Sequence, residues 1–185
     1  MVASGMSVRT CIALAAATFA APVFAHGSDR TKFDTNLVGY EETPSTLNSP
    51  ASGEFALRIS KDGSSIDYKL TYRDMPTSVT QSHIHFGRPA LTGGIVLFLC
   101  TNLTPPTGVP TPPLCPTPSG TVTGTLTAAD VIAQSGQSID AGAAGFAQVI
   151  KAIRNGAAYA NVHTTGHGSG EIRGALGHPD DDDDD

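Results

Sequence analysis

The residues best suited to chemistry are three histidines on two distant stretches of the chain. His83 and His85 lie in the segment 81–87, Gln-Ser-His-Ile-His-Phe-Gly, and His163 lies in the segment 159–164, Tyr-Ala-Asn-Val-His-Thr. Residues two apart on a β-strand project from one face with Cα atoms about 7 Å apart, so the first two imidazoles can share one ion. A third imidazole from a neighbouring strand completes a three-nitrogen set that zinc and copper accept. The spacing predicts a copper or zinc site.

The same histidines also support a metal-free interpretation. Asn161 lies on the strand face of His163, and Glu171 and Arg173 lie on the strand that follows. Buried polar groups need hydrogen-bond partners, so these side chains could form a polar network that braces two strands. If a metal is bound, Asn161 or Glu171 could instead orient an imidazole. Both interpretations stay open at the level of sequence.

Short strands must position these side chains. Alternating or continuous apolar runs predict strands at 33–40, 54–60, 65–72, 79–86, 95–99, 120–126, 158–164 and 170–176. Phe146, Val149, Ile150 and Ile153 follow a helical spacing, and Asn155-Gly156 is typical of a helix end. The pattern predicts an all-β sandwich or barrel of seven or eight strands, with one short helix at about 146–155 before the last hairpin.

Three ordered motifs resemble the CHRD domain, first described in chordin and widespread in bacterial secreted proteins. They are the opening phrase 33–44 with its Glu-Thr-Pro turn, the His-Ile-His-Phe-Gly segment, and Tyr-Ala-Asn-Val-His-Thr followed by Gly-Glu-Ile-Arg-Gly. The likeness covers about residues 33–176 and implies an immunoglobulin-like antiparallel β-sandwich or barrel. It places a CHRD domain at 33–177, after a lead at 26–32. The resemblance implies a fold rather than a function, because bacterial members mostly lack an established activity.

The chain begins with the features of an export signal. Arg9 precedes an apolar run from Cys11 to Ala21, and Val-Phe-Ala at 23–25 fits a signal-peptidase site. We therefore predict a signal peptide at 1–25 and a secreted or periplasmic protein. The apolar run is shorter than the roughly 20 residues that span a bilayer, and no transmembrane segment is expected after cleavage. At the other end, 178–185 is predicted to be an acidic disordered tail.

Two cysteines remain in the predicted mature chain. Cys100 and Cys115 form an even pair, which indicates a disulfide in an exported protein, with two free thiols as the alternative. Between them the chain is rich in proline, so the segment 101–119 is predicted to be irregular and held by the two cysteines.

Composition and charge exclude some functions. The formal net charge is −6, and six of the seventeen acidic residues form the terminal run Asp180–Asp185. Basic residues are not clustered, so the sequence has no electrostatic footprint for nucleic acid. It also lacks a nucleophile elbow and a phosphate-binding glycine loop.

Two further histidines carry weaker hypotheses. His26 would become the mature N-terminus, and His26-Gly27 matches the dipeptide with which copper-dependent polysaccharide monooxygenases often begin. That match does not extend beyond the dipeptide. His167 lies in the Gly- and Thr-rich loop of the last hairpin, where an exposed position is expected.

Two functions follow from these observations. The first is an exported, non-catalytic binding or structural module with an unidentified protein or extracellular ligand. The second is a copper- or zinc-binding metalloprotein, with a redox role as one form of it, that uses His83, His85 and His163. The dismutases that carry copper and zinc also place His-x-His on a sandwich strand, but their additional histidines are missing here.

Overall fold

The computed structural model of the chain describes Met1 and residues 30–177. Most of the predicted signal peptide and lead, including His26, and the predicted acidic tail at 178–185 lie outside the described residues. Those expectations stay predictions. Among the described residues, none of the helices has the length and apolar character needed to cross a bilayer.

Eight antiparallel strands form one sheet. They are β1 (Lys32–Val38), β2 (Ser52–Ile59), β3 (Ser65–Arg73), β4 (Val79–Phe86), β5 (Gly94–Thr101), β6 (Gly120–Thr127), β7 (Ala158–Thr164) and β8 (Ile172–Leu176). Their order in the sheet is β5-β4-β7-β8-β1-β2-β3-β6. The all-β antiparallel fold predicted from the sequence is confirmed.

Alternation of side chains explains one half of this sheet. In β2 and β3 every second residue is buried, and their partners on the other face are exposed or half-buried. Phe55, Leu57, Leu70 and Tyr72 belong to the buried set. Removing a large apolar side chain from water contributes about 1.5–3 kcal/mol, so this set supplies much of the driving force for folding.

The other half of the sheet is buried on both faces. Every residue of β7 is buried, and β4 is buried from Ser82 to His85. Polar side chains on these strands therefore cannot point to solvent and must find partners inside the protein. This half of the sheet carries the histidines.

The two end strands of the sheet, β5 and β6, approach each other and nearly close a barrel. Tyr68 of β3 donates a hydrogen bond of 2.6 Å from its hydroxyl to the carbonyl of Leu99 in β5. Farther along β5, the amide of Thr101 donates to the carbonyl of Pro113 at 2.9 Å. The open edge of β5 is thus partly covered by the proline-rich segment.

The proline-rich segment contains no strand or helix from residue 102 to residue 119, although β5 extends to Thr101. The disulfide Cys100–Cys115 closes most of it, with a Cα–Cα distance of 5.1 Å. Asn102 adds to this closure. Its side-chain amide donates to the carbonyls of Val79 and Cys115, and its Oδ1 accepts from the amide of Cys115.

The predicted helix is present, but it begins one turn earlier than expected. Helix α1 runs from Gly142 to Arg154. Asn155 is its C-cap, and Gly156 follows with a φ of 62°. The first turn, Gly-Ala-Ala-Gly, lacks large apolar residues, so periodicity could not detect it. A side chain at Gly145 would lie 1.8 Å from the carbonyl oxygen of Asp140, which explains the small residue in that turn.

The ends of some elements differ from the prediction. The chain leaves β1 at Val38 and forms a 3-10 turn over Gly39–Glu41 instead of continuing as a strand to residue 40. The last strand begins at Ile172 rather than Gly170, because Gly170 has a φ of 131° and belongs to the loop. Thr127 starts a 3-10 turn over Ala128–Asp130, in which Thr127 and Asp130 form a reciprocal capping box.

Candidate metal site

Pairing of β4 with β7 brings the three predicted histidines together. His83 lies opposite Asn161, and His163 lies opposite Gln81, so His83 and His163 are diagonal neighbours across the strand pair. Their ring centroids are 4.9 Å apart, and the centroid of His85 lies 5.4 Å from His83 and 6.1 Å from His163. One ring nitrogen of each histidine lies within 4.8 Å of the other two. We call these three rings the histidine cluster.

Hydrogen bonds to carbonyls orient two of the rings. Nδ1 of His85 lies 2.9 Å from the carbonyl oxygen of Gly93, and Nδ1 of His163 lies 3.0 Å from that of Gly168. A carbonyl oxygen only accepts, so both Nδ1 atoms must carry the proton and both Nε2 atoms keep a lone pair. This tautomer, fixed by a bond at the opposite ring nitrogen, is the one that metal-binding histidines use.

The protonation of the third ring, His83, follows from that of His163. Nδ1 of His83 lies 3.2 Å from Nε2 of His163. Because that Nε2 accepts, Nδ1 of His83 donates and its own Nε2 also keeps a lone pair. The Nε2 atoms of His83 and His85 are buried and have no hydrogen-bond partner. Unpartnered buried nitrogens carry a desolvation cost of about 1–3 kcal/mol each, which a bound ion would remove.

Burial keeps the histidine cluster uncharged. It lowers the pKa of His83 to about 2, with smaller contributions from His163 and His85. It lowers the pKa of His85 to about 4, although the bond to Gly93 opposes the shift. The pKa of His163 is also lowered by burial, against the bond to Gly168. Neutral imidazole is the form that binds a metal.

Aromatic side chains enclose the histidine cluster. The edge of one ring meets the face of the other between His83 and Phe98, at a centroid distance of 4.3 Å and an angle of 82°. Tyr159 stacks on His85 with 4.7 Å between centroids and 3° between planes. Arg173 lies on the Tyr159 ring, with its guanidinium carbon 3.4 Å from the centroid.

Asn161 is the one predicted partner that is hydrogen-bonded to the cluster. Its side-chain Oδ1 lies 3.0 Å from Nε2 of His163. A 180° turn of the amide would present its NH2 group to that nitrogen and make the contact a donated hydrogen bond. Asn161 therefore competes with a metal ion for the lone pair of His163.

Glu171 and Arg173 have other hydrogen-bond partners than the imidazoles. Glu171 accepts from Ser49 at 2.7 Å and from Thr164 at 2.5 Å. The Arg173 guanidinium donates to the hydroxyl of Thr43 and to the carbonyls of Arg88 and Leu91. Arg173 thereby fixes the β4–β5 loop, which also contains Gly93.

Glu42 is a further buried polar residue, and the sequence motifs did not indicate it as a site residue. It is 5% exposed, and its Oε1 has no hydrogen-bond partner. Burial raises its pKa to about 7, partly offset by Arg173. Its place in the Glu-Thr-Pro turn was the available signal, but nothing in that turn indicates that the carboxyl is buried.

Gly93 contacts the site through its backbone, whereas His167 lies outside it. The amide of Gly93 donates to the hydroxyl of Tyr159 at 3.2 Å, and its carbonyl holds His85, so one residue positions two rings. Spacing alone could not reveal a backbone contact of this kind. His167 is half-buried in the β7–β8 loop and does not belong to the group of candidate ligands.

The fold and the motifs agree with a comparison against known families. The sequence profile of the CHRD domain matches residues 33–176, from the second residue of β1 to the end of β8. The chain belongs to the CHRD domain family. Searches of curated proteins and of solved structures found no significant match.

Proposed function

We propose that this CHRD domain is an exported, non-catalytic binding module that holds one copper or zinc ion through Nε2 of His83, His85 and His163. The observation that carries the proposal is the convergence of three buried imidazoles, with one ring nitrogen of each within 4.8 Å of the other two, and Nε2 of both His83 and His85 lacking a hydrogen-bond partner. A buried nitrogen without a hydrogen-bond partner is costly, and a metal ion would satisfy both of these atoms at once.

The spacing of the nitrogens is close to that of a bound site. Bonds of about 2.1 Å in tetrahedral geometry separate two ligand nitrogens by roughly 3.4 Å. One ring nitrogen of each histidine lies within 4.8 Å of the other two. The 3.2 Å contact joins Nδ1 of His83 to Nε2 of His163, so this hydrogen bond would be replaced by the bonds to the ion. The widest pair would have to approach by roughly 1.4 Å, which small rotations of the rings can supply.

A metal-free brace is the second candidate function. The hydrogen bond between His83 and His163, which joins β4 to β7, favours it. In this alternative the cluster only stabilises the sheet, and the module binds an unidentified protein or extracellular ligand elsewhere. The two unpartnered Nε2 atoms count against it, because a purely structural network gains most when every buried member is satisfied.

Export and the absence of catalysis belong to the proposal. Export is supported by the signal-like segment at 1–25 and by the disulfide Cys100–Cys115, which needs an oxidising compartment to persist. A non-catalytic role is supported by the burial of all three histidines, which are at most 7% exposed and leave a substrate little access.

Metal titration of the purified chain tests the proposal. Protein stripped with a chelator and dialysed is titrated with Cu²⁺ and with Zn²⁺, and bound metal is measured by elemental analysis. We expect about one ion per chain, and none in the His83→Ala/His163→Ala double variant. His167→Ala is the matched control and should bind as the parent does. A parent that binds no metal, and a double variant that only melts earlier, would support the brace instead.

A further inference from the structure

The charge around the histidine cluster is unfavourable for a dication. All three donors are uncharged, and the group of candidate ligands includes no Asp or Glu. The guanidinium carbon of the cation Arg173 lies 3.4 Å from the centroid of the Tyr159 ring, and the centroids of the Tyr159 and His85 rings are 4.7 Å apart. Arg173 is therefore no farther from the His85 ring than the sum of these two distances.

The acidic residues beside Arg173 compensate its charge only in part. Glu41 is exposed, so solvent screens its interaction with Arg173. Burial raises the pKa of Glu42 to about 7, so a large fraction of this carboxyl is neutral at physiological pH. The carboxylate of Glu171 is hydrogen-bonded to Ser49 and Thr164 and faces those hydroxyls rather than the rings.

Coulomb's law gives the size of this effect. One positive charge roughly 10 Å away, at an effective dielectric constant of about 20, disfavours a second charge on a bound ion by roughly tenfold in affinity. A monovalent ion therefore fits this environment better than a divalent one with the same ligands.

Exclusion of water from the histidine cluster also favours a monovalent ion over a divalent one. His83 is 0% exposed, His85 is 7% exposed and His163 is 6% exposed, and Phe98 and Tyr159 pack against the rings. Zinc bound by three histidines keeps a water or hydroxide as its fourth ligand, and that ligand supplies negative charge. A buried pocket disfavours this fourth ligand. A monovalent d¹⁰ copper ion is satisfied by three nitrogens.

We propose, on the basis of the proposed metal-binding function, that the histidine cluster selects Cu⁺ over Cu²⁺ and Zn²⁺, and that Arg173 contributes to this selection through its charge. The ligand class is thus a reduced copper ion held by three neutral imidazoles. Arg173 acts through Tyr159 and His85 and is a positioning and selectivity residue rather than a ligand.

Competition with chromophoric chelators measures this selectivity. Affinities for Cu⁺, under anaerobic conditions with ascorbate, are compared with those for Cu²⁺ and Zn²⁺ in the parent chain. We expect Cu⁺ to bind at least a hundredfold more tightly than either dication. Equal or tighter binding of a dication would overturn this inference and leave metal binding intact. Failure to bind any of the three ions would instead overturn the proposed function.

Two substitutions separate the charge of Arg173 from its packing. Arg173→Gln removes the charge and should reduce the preference for Cu⁺ over Cu²⁺ by roughly tenfold. Arg173→Lys keeps the charge and should keep the preference, even where stability falls. Circular dichroism and thermal melts establish that each variant is folded. A preference that is the same in the parent and in folded Arg173→Gln would overturn the role of Arg173, and the parent's own affinities test the selectivity if that variant does not fold.

Discussion

Nδ1 of His83 and Nε2 of His163 lie 3.2 Å apart, although 80 residues separate them in the sequence. The antiparallel register of β4 and β7 places them diagonally, with His83 opposite Asn161. Diagonal neighbours in a sheet are within reach of long or aromatic side chains, so strand pairing alone explains the contact. Because both residues are buried, the bond has consequences for stability as well as for metal binding.

Removal of one ring should therefore destabilise the metal-free protein. His163→Ala leaves Nδ1 of His83 without its acceptor in a buried position and opens a cavity. We expect a loss of about 2–4 kcal/mol in the free energy of unfolding, measured by urea denaturation with a chelator present. His167→Ala, in the β7–β8 loop, should change it by less than about 0.5 kcal/mol. Equal effects of the two substitutions would show that the hydrogen bond does not stabilise the sheet.

The buried carboxyl of Glu42 should make stability fall as the pH rises. Its pKa is raised from 4.5 to about 7, mainly by burial, so the folded chain holds a proton that the unfolded chain has released. This contribution is complete below pH 4.5 and is lost as the pH rises through 7, at up to about 1.4 kcal/mol per pH unit. Glu42→Gln removes the titrating group, so its stability relative to the parent should increase from pH 5 to pH 8.

The control for this prediction is Glu54→Gln, which removes an exposed carboxyl from β2. Urea midpoints of the parent and both variants, measured at four pH values, show whether Glu42 causes the pH dependence of stability. Parallel profiles for the parent and Glu42→Gln would contradict a raised pKa for Glu42.

The histidines should have the opposite effect on stability. Their pKa values are lowered in the folded chain, to about 4 for His85, so the unfolded chain binds more protons as the pH falls below 6.5. The stability they contribute is present above pH 6.5 and is lost on acidification. Each ring contributes up to about 1.4 kcal/mol per pH unit. Glu42 opposes this trend over the same range, so the measurement is made in the Glu42→Gln background between pH 6 and pH 5. A flat profile there would contradict the prediction.

The sequence predicted the elements of the site better than the contacts that orient it. Alternation placed His83 and His85 on one strand and His163 on another, and β4 and β7 do pair. A strand period of two specifies faces, but it does not specify which strands become neighbours. The pairing of β4 with β7 depends on loop lengths and on the burial of the whole sheet.

Backbone contacts were outside the reach of sequence patterns. The carbonyls of Gly93 and Gly168 decide which nitrogen of His85 and of His163 carries the proton. Every residue offers the same carbonyl, so no residue type marks the one that is used. Strand alternation assigns Tyr159 to a face of the sheet but does not specify the side chain that packs on it, so the stack of Arg173 on Tyr159 could not be predicted.

The disulfide should be the main constraint on the proline-rich segment. Cys100 and Cys115 close a loop with a sequence separation of 15. The loop-entropy model assigns about 3 kcal/mol to a loop of this length, so a Cys100→Ala/Cys115→Ala double variant should lose roughly that amount. Urea denaturation of the variant, compared with the parent with and without reductant, measures it. If the reduced parent were as stable as the oxidised one, the segment would be held by Asn102 and its hydrogen bonds instead.

Gly93 should be intolerant of any side chain. A Cβ atom at this position would lie 1.8 Å from the carbonyl oxygen of Phe86, so the backbone must move. That movement displaces the carbonyl that orients His85 and the amide that binds Tyr159. We expect Gly93→Ala to lower the free energy of unfolding by about 2–3 kcal/mol and to weaken copper binding at least tenfold.

Gly136→Ala is the matched control, because a Cβ atom there would meet nothing within 4 Å. It should leave copper affinity unchanged and alter stability by less than about 1 kcal/mol. The free energy of unfolding reports on packing at Gly93, and the copper affinity reports on the orientation of the His85 ligand. If Gly93→Ala lost stability but kept the full copper affinity, His85 would bind the ion without help from the Gly93 carbonyl, and its tautomer would have to be fixed by the ion itself.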